Sequence, residues 1–174
     1  MKENGIEIDD ITKANLLKGY ARKGKLRKAE EIFAAMEKTN IFAFNSLFHG
    51  YMYYQETKKG MKFFEKMVQE GIRPDIYTYT TLIHHSATSD FPKIIDEMKT
   101  NGIEPDIKFY NAMVDRFTKQ GKYEEAIACI DEKMHNATPD LTTYVLLMKC
   151  LVGMKDIEKA EKMLGTLKEK FGGN

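Results

Sequence analysis

The sequence predicts an all-α fold of repeated two-helix hairpins, because similar segments recur at a spacing typical of helical repeats. GIRPDIYTYTTLI begins at Gly71, and GIEPDIKFYNAMV begins at Gly102. Two more distant versions are NIFAFNSLF from Asn40 and ATPDLTTYVLLM from Ala137. The aromatic residues that align in these four segments are separated by 35, 31 and 34 positions and stand at Phe44, Tyr79, Tyr110 and Tyr144.

The first half of each repeat is predicted to be a helix with one apolar face. In IKFYNAMVDRFTKQG the apolar residues recur at the three- and four-residue spacing of such a face, at Ile107, Tyr110, Met113, Val114 and Phe117. Asp106 fits a helix N-cap, since its carboxylate can accept a hydrogen bond from a free backbone N–H. Gly121 fits a C-terminal stop.

The second half of each repeat is also predicted to be a helix, since a small residue precedes an apolar residue by four positions, as in Ala29 and Phe33. A helix of about 14 residues is only about 21 Å long and cannot bury its apolar face alone. Stacked hairpins bury such faces against one another. We therefore expect an all-α, right-handed α-solenoid of about five hairpins.

The repeats are predicted to run over residues 10–40, 41–75, 76–106, 107–140 and 141–174. The first is of a short type, the third is shortened and the last is incomplete. Residues 1–9 resemble the tail of a preceding repeat, since MKENGIEID aligns with MVQEGIRPD. We therefore expect the chain to begin partway through a repeat.

Composition and charge exclude several classes of protein. The chain has 174 residues with 27 Lys+Arg and 26 Asp+Glu, so its net charge of +1 selects no strongly charged partner. Two cysteines cannot form a disulfide framework. No apolar run reaches the roughly 20 residues of a membrane span, and the N-terminus MKENGIEIDD shows no targeting peptide.

The sequence also lacks the patterns of catalytic and metal sites. His84 and His85 are adjacent, so they would point to different sides of a helix. Neither Cys129 nor Cys150 has a second Cys or His at zinc spacing. There is no glycine-rich phosphate loop or nucleophile elbow. We therefore expect no enzyme activity, cofactor, metal, membrane contact or small-molecule substrate.

The predicted repeats have two helices in about 35 residues. They end in Gly-Ile-x-Pro-Asp and are followed by an aromatic residue and Asn or Thr. This pattern resembles pentatricopeptide repeats. The tetratricopeptide repeat fits less well, because its pattern carries tryptophan and this chain has none. Members of the resembled family bind single-stranded RNA, about one base per repeat. Most work in mitochondria or plastids, so the resemblance implies an organelle.

The resemblance assigns base reading to the residue after the first-helix aromatic and to the closing residue of the same repeat. We call these two the reader pair, and the pairs are Asn45 with Asp75, Thr80 with Asp106 and Asn111 with Asp140. The family correspondence reads Asn with Asp as uracil and Thr with Asp as guanine. The resulting track is U-G-U, with its 5′ end toward the N-terminus. Ala14 and Val145 hold the reader position in the outer repeats and should read no base.

Further contacts with RNA follow from the same resemblance. Ile11, Phe42 and Tyr77 match the positions that stack on bases, whereas Lys108 and Thr142 match them poorly. Arg22 and Lys119 lie late in first helices, where the family approaches phosphate. Because few cations recur at that position, we expect weak binding and a shallow dependence on salt.

We predict sequence-selective binding of single-stranded RNA in organellar RNA metabolism, and two alternatives stay open. The chain could instead be a scaffold in a large ribonucleoprotein such as a mitochondrial ribosome, contacting rRNA or ribosomal proteins. It could also be a solenoid that binds only protein. The aspartates of the reader pairs have a purely structural reading as well, since each fits a helix N-cap.

Overall fold

The computed structural model describes residues 9–38, 40–133 and 138–171, and the regular secondary structure within these ranges is helical. A 3₁₀ turn at Thr88–Asp90 accompanies ten α-helices. In chain order they are α1 (Asp10–Arg22), α2 (Leu26–Ala34), α3 (Ile41–Tyr53), α4 (Thr57–Gln69), α5 (Ile76–His85), α6 (Phe91–Thr100), α7 (Ile107–Lys119), α8 (Tyr123–Lys133), α9 (Leu141–Gly153) and α10 (Ile157–Phe171).

The chain divides within α5 into two compact units, one ending at Thr81 and the other beginning at Leu82. In the first unit α1 packs against α2 and α3, and α3 packs against α4. Its core is apolar and includes the buried side chains of Ala14, Leu17, Ala29, Phe33, Phe44, Leu47 and Met67. The Phe33 and Phe44 rings meet edge to face with centroids 4.9 Å apart, a favoured geometry for aromatic pairs.

In the second unit α7 packs against α8 and α9, and α9 packs against α10. Its buried apolar side chains include Phe91, Met98, Phe109, Met113, Val114, Ala126, Cys129, Leu146 and Cys150. The small residues predicted in second helices are buried where helices approach closely, as at Ala126 with 0% exposure.

Polar side chains begin the first helix of each hairpin. The side chains of Asp9, Asn40, Asp106 and Asp140 each accept a hydrogen bond from the backbone N–H three residues later. Asp75 does the same for Thr78 at the start of α5. The capping expected of the reader-pair aspartates is therefore present, and such a cap contributes about 1 kcal/mol.

The second helix of the third hairpin begins without a side-chain cap. Asp90 immediately precedes α6, and its side chain makes no capping hydrogen bond. Pro92 lies in the first turn of α6. Because Asp90 belongs to the preceding 3₁₀ turn and its backbone is helical there, its carboxylate does not cap α6.

Four of the five described hairpins, all except that of α5 and α6, place one turn residue in the left-handed region of backbone conformation. Gly24 and Gly121 hold this position with φ of 70° and 72°, whereas Gln55 and Lys155 hold it with φ of 63° and 61°. Glycine adopts this conformation freely, while a residue with a Cβ pays about 1 kcal/mol or more. Two of the four hairpin turns therefore carry local strain.

Each predicted repeat from 10–40 to 141–174 contains one pair of helices. The pair in 76–106 is the shortest, since α5 and α6 have 10 residues each where α1 and α2 have 13 and 9. The predicted tail at 1–9 lies outside the described residues except for Asp9, as do positions 172–174 of the last repeat.

Candidate functional site

Two of the three predicted reader pairs are joined by a hydrogen bond. The Asn45 amide donates to the Asp75 carboxylate over 3.0 Å, and the Asn111 amide donates to Asp140 over 3.0 Å. Asn45 is 6% exposed and Asn111 is 7% exposed. Each amide projects from the first helix of one repeat toward the carboxylate that begins the first helix of the next.

A threonine that the sequence analysis did not identify completes each of these two pairs. The Thr78 hydroxyl lies 2.6 Å from the Asn45 amide oxygen, and the Thr143 hydroxyl lies 2.9 Å from that of Asn111. Both hydroxyls also lie 2.9 Å from the carboxylate of the pair. The signal was visible in the sequence, because PDIYT and PDLTT each place threonine three residues after the aspartate.

These contacts set the charge state of the second pair. Burial by itself raises the pKa of Asp140, but hydrogen bonds from the Thr143 backbone, the Thr143 hydroxyl and the Asn111 amide together outweigh it. The pKa of Asp140 is therefore below its ordinary value. At neutral pH the pair therefore presents an ionised carboxylate.

The remaining reader positions are arranged differently. The Thr80 hydroxyl donates to the backbone carbonyl of Ile76 over 2.7 Å, within its own helix. Asp106 accepts from the Phe109 backbone over 2.8 Å. Thr80 belongs to the first compact unit and Asp106 to the second, so this pair stays a prediction. Ala14, at the reader position of the first repeat, is buried.

The first joined pair opens into a cavity of about 350 Å³ with aromatic walls. Phe42 and Tyr77 are 39% and 50% exposed, although both are large apolar side chains. The residues that line this cavity are Lys18, Ile41, Phe42, Asn45, Ser46, Asp75 and Tyr77. Two of the predicted stacking residues therefore line the same cavity as the reader pair.

The second joined pair lines a cavity of about 580 Å³ whose walls are more polar. Lys108 and Thr142 stand at the positions that Phe42 and Tyr77 hold in the first cavity. The other lining residues are His84, Asn111, Ala112, Asp115, Asp140, Leu141, Val145, Leu146 and Lys149. Each cavity is therefore lined by an Asn amide and an Asp carboxylate. The first cavity adds two aromatic rings, where the second has a lysine and a threonine.

The third predicted stacking residue, Ile11, is 70% exposed on α1. The Phe42 ring carries a cation at its face, since the Lys18 ammonium lies 4.9 Å from the ring centroid. An ammonium in this position is attracted by the negative face of the ring.

The two predicted phosphate-binding cations differ in their surroundings. Arg22 is exposed and lines a cavity of about 280 Å³ with His49 and Tyr53. Burial and the nearby Arg22 charge lower the pKa of His49. No carboxylate lies within ion-pair distance of Arg22 in the described part of the chain, whereas the Lys119 ammonium pairs with Asp115 over 2.6 Å.

No group of three or more His, Cys, Asp and Glu side chains in the described ranges is arranged to hold a metal ion. Cys129 and Cys150 are both buried and are not joined in a disulfide. Of the helices in residues 9–38, 40–133 and 138–171, none is both long and apolar enough to cross a membrane.

Paired helices in repeats of about 35 residues, with polar reader pairs between consecutive repeats, define a helical-repeat protein. Family models agree: the pentatricopeptide repeat domain model matches residues 1–41 and 93–154, the PPR repeat family model matches 39–88 and the PPR repeat model matches 142–170. The chain belongs to the pentatricopeptide repeat family. The expected family is thereby confirmed, as is the expected all-α helical-repeat solenoid class.

Relatives and solved structures extend this assignment. The chain is 30% identical over 175 residues to the pentatricopeptide repeat-containing protein At4g18840 of Arabidopsis thaliana, covering 96% of this chain and 31% of that protein. It is 30% identical over 79 residues to At1g59720 of Arabidopsis thaliana, named chloroplastic/mitochondrial, covering 44% of this chain and 12% of that protein. The chain therefore spans less than a third of the length of these relatives.

Among solved structures, the pentatricopeptide repeat protein PPR10 in complex with an 18-nt psaJ RNA element superposes with a TM-score of 0.77 at 20% identity. This match covers 97% of the present chain and 30% of PPR10. The PPR domain of Arabidopsis thaliana protein-only RNase P 1 in complex with tRNA superposes with a TM-score of 0.64 at 18% identity, covering 89% and 86%. Both likenesses establish the fold.

Proposed function

We propose that this chain binds single-stranded RNA and that each joined reader pair meets one base. The observation that carries the proposal is the recurrence of one arrangement in two repeats. In each, an Asn amide donates to the Asp that closes its repeat and caps the next first helix, and both residues line an open cavity. Membership of the family and the RNA-bound state of two proteins with the same fold support it.

The first cavity has the features that a base requires. Phe42 and Tyr77 present exposed rings to the cavity that the reader pair lines, and base–aromatic stacking contributes about 1–3 kcal/mol per base. Stacking accepts any base, so selectivity would come from the polar floor formed by Asn45 and Asp75. The ammonium of Lys18 at the Phe42 ring would neutralise an adjacent phosphate.

The free hydrogen-bonding groups of the Asn amide define what it can offer a base. An amide carries two N–H donors and two acceptor lone pairs. In Asn45 one donor goes to Asp75 and one lone pair accepts from Thr78, which leaves one of each. Because a carboxylate can only accept hydrogen bonds, Asp75 also fixes the Asn45 amide so that its nitrogen, and not its oxygen, faces the carboxylate.

The proposed track is U-G-U, read by Asn45 with Asp75, Thr80 with Asp106 and Asn111 with Asp140, with the 5′ end toward the N-terminus. The first and third positions have assembled pairs, and the second rests on the resemblance alone. Arg22 is the better phosphate contact, since Lys119 would first have to leave Asp115. The proposed module has no catalytic role.

Competition binding tests the proposal. Short single-stranded RNAs that contain UGU, UUU or UAU compete for the purified chain, and we expect UGU to bind most tightly. Because these RNAs differ only at the middle base, equal affinity for all three would refute base reading by Thr80 with Asp106. Asn111→Ala should relax the preference at the last uracil, whereas Arg22→Ala should weaken all three RNAs alike and reduce the dependence on salt.

The cellular setting is part of the same proposal. Two relatives carry chloroplastic or mitochondrial in their names, which supports an organellar role in RNA metabolism. Sedimentation of an organelle lysate separates this role from that of a ribonucleoprotein scaffold. Nuclease-sensitive association with a transcript supports the reader, and stable migration with ribosomal subunits supports the scaffold.

A further inference from the structure

The hydroxyls of Thr78 and Thr143 are placed to orient the asparagine of the preceding repeat. Each is the third residue of its helix, is almost completely buried and contacts the amide oxygen, of Asn45 and Asn111 respectively. We propose that these threonines are positioning residues that set the base preference of the two asparagines. This inference rests on the RNA binding proposed above and deepens it.

Helix capping by itself does not account for the threonines. The hydroxyl of Thr78 accepts from the Asp75 backbone over 3.1 Å, and this uses only an oxygen lone pair. The hydroxyl proton remains, and the nearer of its two acceptors is the Asn45 amide oxygen at 2.6 Å, against 2.9 Å for the Asp75 carboxylate. The threonine thus acts on the reader as well as on its own helix.

Helices in the same chain that lack the threonine support this separation of roles. Helix α7 has Phe109 at the equivalent position, and Asp106 still caps it through the Phe109 backbone N–H over 2.8 Å. Helix α3 has Ala43 there, and Asn40 caps it in the same way over 3.0 Å. A first helix is therefore capped without a threonine.

The threonine occurs where the preceding reader is asparagine. The reader positions Asn45 and Asn111 are followed by Thr78 and Thr143. The reader positions Ala14 and Thr80 are followed by Ala43 and Phe109 instead. Alanine has no amide to orient, and the Thr80 hydroxyl is already bonded to Ile76 within its own helix.

The short distance between the Thr78 hydroxyl and the Asp75 carboxylate determines which hydrogen-bonding groups of the Asn45 amide remain for a ligand. Since the Thr78 hydroxyl and the Asp75 carboxylate are 2.9 Å apart, they lie along one edge of the Asn45 amide, beside its oxygen and its nitrogen. The free N–H and the free lone pair then point away from each other. A base can therefore form one hydrogen bond with this amide. The orientation of the amide decides whether the amide donates or accepts that bond.

Loss of the threonine hydroxyl should relax the preference without removing binding. In Thr78→Val the Asp75 carboxylate still accepts from the Asn45 amide nitrogen, but the Asn45 amide oxygen loses its hydroxyl donor. The amide can then rotate away from the orientation in which both partners held it. A net hydrogen bond of about 1 kcal/mol corresponds to about a fivefold change in an equilibrium. We therefore expect the ratio of affinities for uracil over cytosine opposite Asn45 to fall about fivefold.

Thr81→Val is a matched control, because it makes the same change in the same helix. Thr81 is 3% exposed, and its hydroxyl donates to the Tyr77 carbonyl of its own helix over 2.9 Å. Thr78→Ser keeps the hydroxyl that the proposal requires. Should Thr78→Val fail to fold, Thr143→Val with the base changed opposite Asn111 makes the same test in the second compact unit.

The measurement is competition between two short RNAs that differ only by U or C opposite the tested asparagine. The inference expects a reduced ratio in Thr78→Val and wild-type ratios in Thr81→Val and Thr78→Ser. An unchanged ratio in Thr78→Val, or an equal fall in Thr81→Val, would overturn it while leaving RNA reading intact. A wild-type chain with no base preference would overturn both proposals together.

Discussion

Removal of the Asp140 carboxylate should destabilise the chain more than removal of the equivalent Asp106 carboxylate. Both aspartates cap a first helix in the second compact unit, through the Thr143 and Phe109 backbone N–H groups. Asp140 accepts in addition from the Asn111 amide, which is 7% exposed. The two sites therefore differ by the contact with Asn111 and by the Thr143 hydroxyl, which lies 2.9 Å from the Asp140 carboxylate.

The magnitudes follow from these contacts. Loss of a helix N-cap costs about 1 kcal/mol, and this is the whole effect expected of Asp106→Ala. Asp140→Ala also leaves the Asn111 N–H without its partner, and a buried donor left unsatisfied costs about 1–3 kcal/mol. We therefore expect Asp140→Ala to lower the free energy of unfolding by about 2–4 kcal/mol.

Urea denaturation of the two variants and the wild type measures this difference, provided that the slope m stays the same. A double-mutant cycle with Asn111→Ala isolates the bond, because the effect of Asp140→Ala should shrink in that background. Equal losses in Asp106→Ala and Asp140→Ala would refute the reasoning, since the bond between repeats would then contribute nothing to stability.

Three further predictions address charge, turns and ligand contacts. Because the pKa of Asp140 is below its ordinary value of 3.8 in the folded chain, its stabilisation is present above that pH and is lost as pH falls through the folded pKa. The difference in unfolding free energy between wild type and Asp140→Ala should therefore narrow in acid, and a constant difference would contradict it. Lys155→Gly should raise stability by about 0.5–1 kcal/mol and Gly121→Ala should lower it by a similar amount, because both turn residues have φ near +60° to +70°; thermal unfolding checks the opposite signs. In RNA titrations across a range of salt concentrations, Phe42→Ala should reduce affinity at every concentration. Lys108→Ala removes a cation that lines the second cavity, so it should lower the salt slope by about 1 if that cation meets a phosphate. Unchanged affinity in Phe42→Ala would argue against stacking in the first cavity, and an unchanged salt slope in Lys108→Ala would argue against the phosphate contact.

Much of the site could be predicted from the sequence because its parts recur. The spacing of the aromatic residues predicted the hairpins, and the Pro-Asp segments indicated where first helices begin. The resemblance then selected Asn45 with Asp75 and Asn111 with Asp140, and the structure joins both by hydrogen bonds. That these residues read bases stays a prediction.

Other features of the site depend on contacts that the sequence patterns did not indicate. The Thr78 hydroxyl contacts Asn45 across 33 positions, so neither helical periodicity nor capping rules indicate the contact. The pairing of Lys119 with Asp115 is a local contact that the prediction of a phosphate-binding lysine overlooked. Sequence patterns indicate a residue's place in a helix, but hydrogen-bond partners depend on which groups meet once the helices pack.

The sequence by itself determined the helical repeats, because apolar spacing, caps and turn residues act over a few positions of the chain. Only the tertiary structure decided how the asparagines are held. Burial removes water from Asn45 and Asn111, so their amides must find partners in the protein. The available partners are the Asp that caps the next first helix and the Thr within that helix. That requirement converts a recurring residue type into an oriented group with one free donor and one free acceptor.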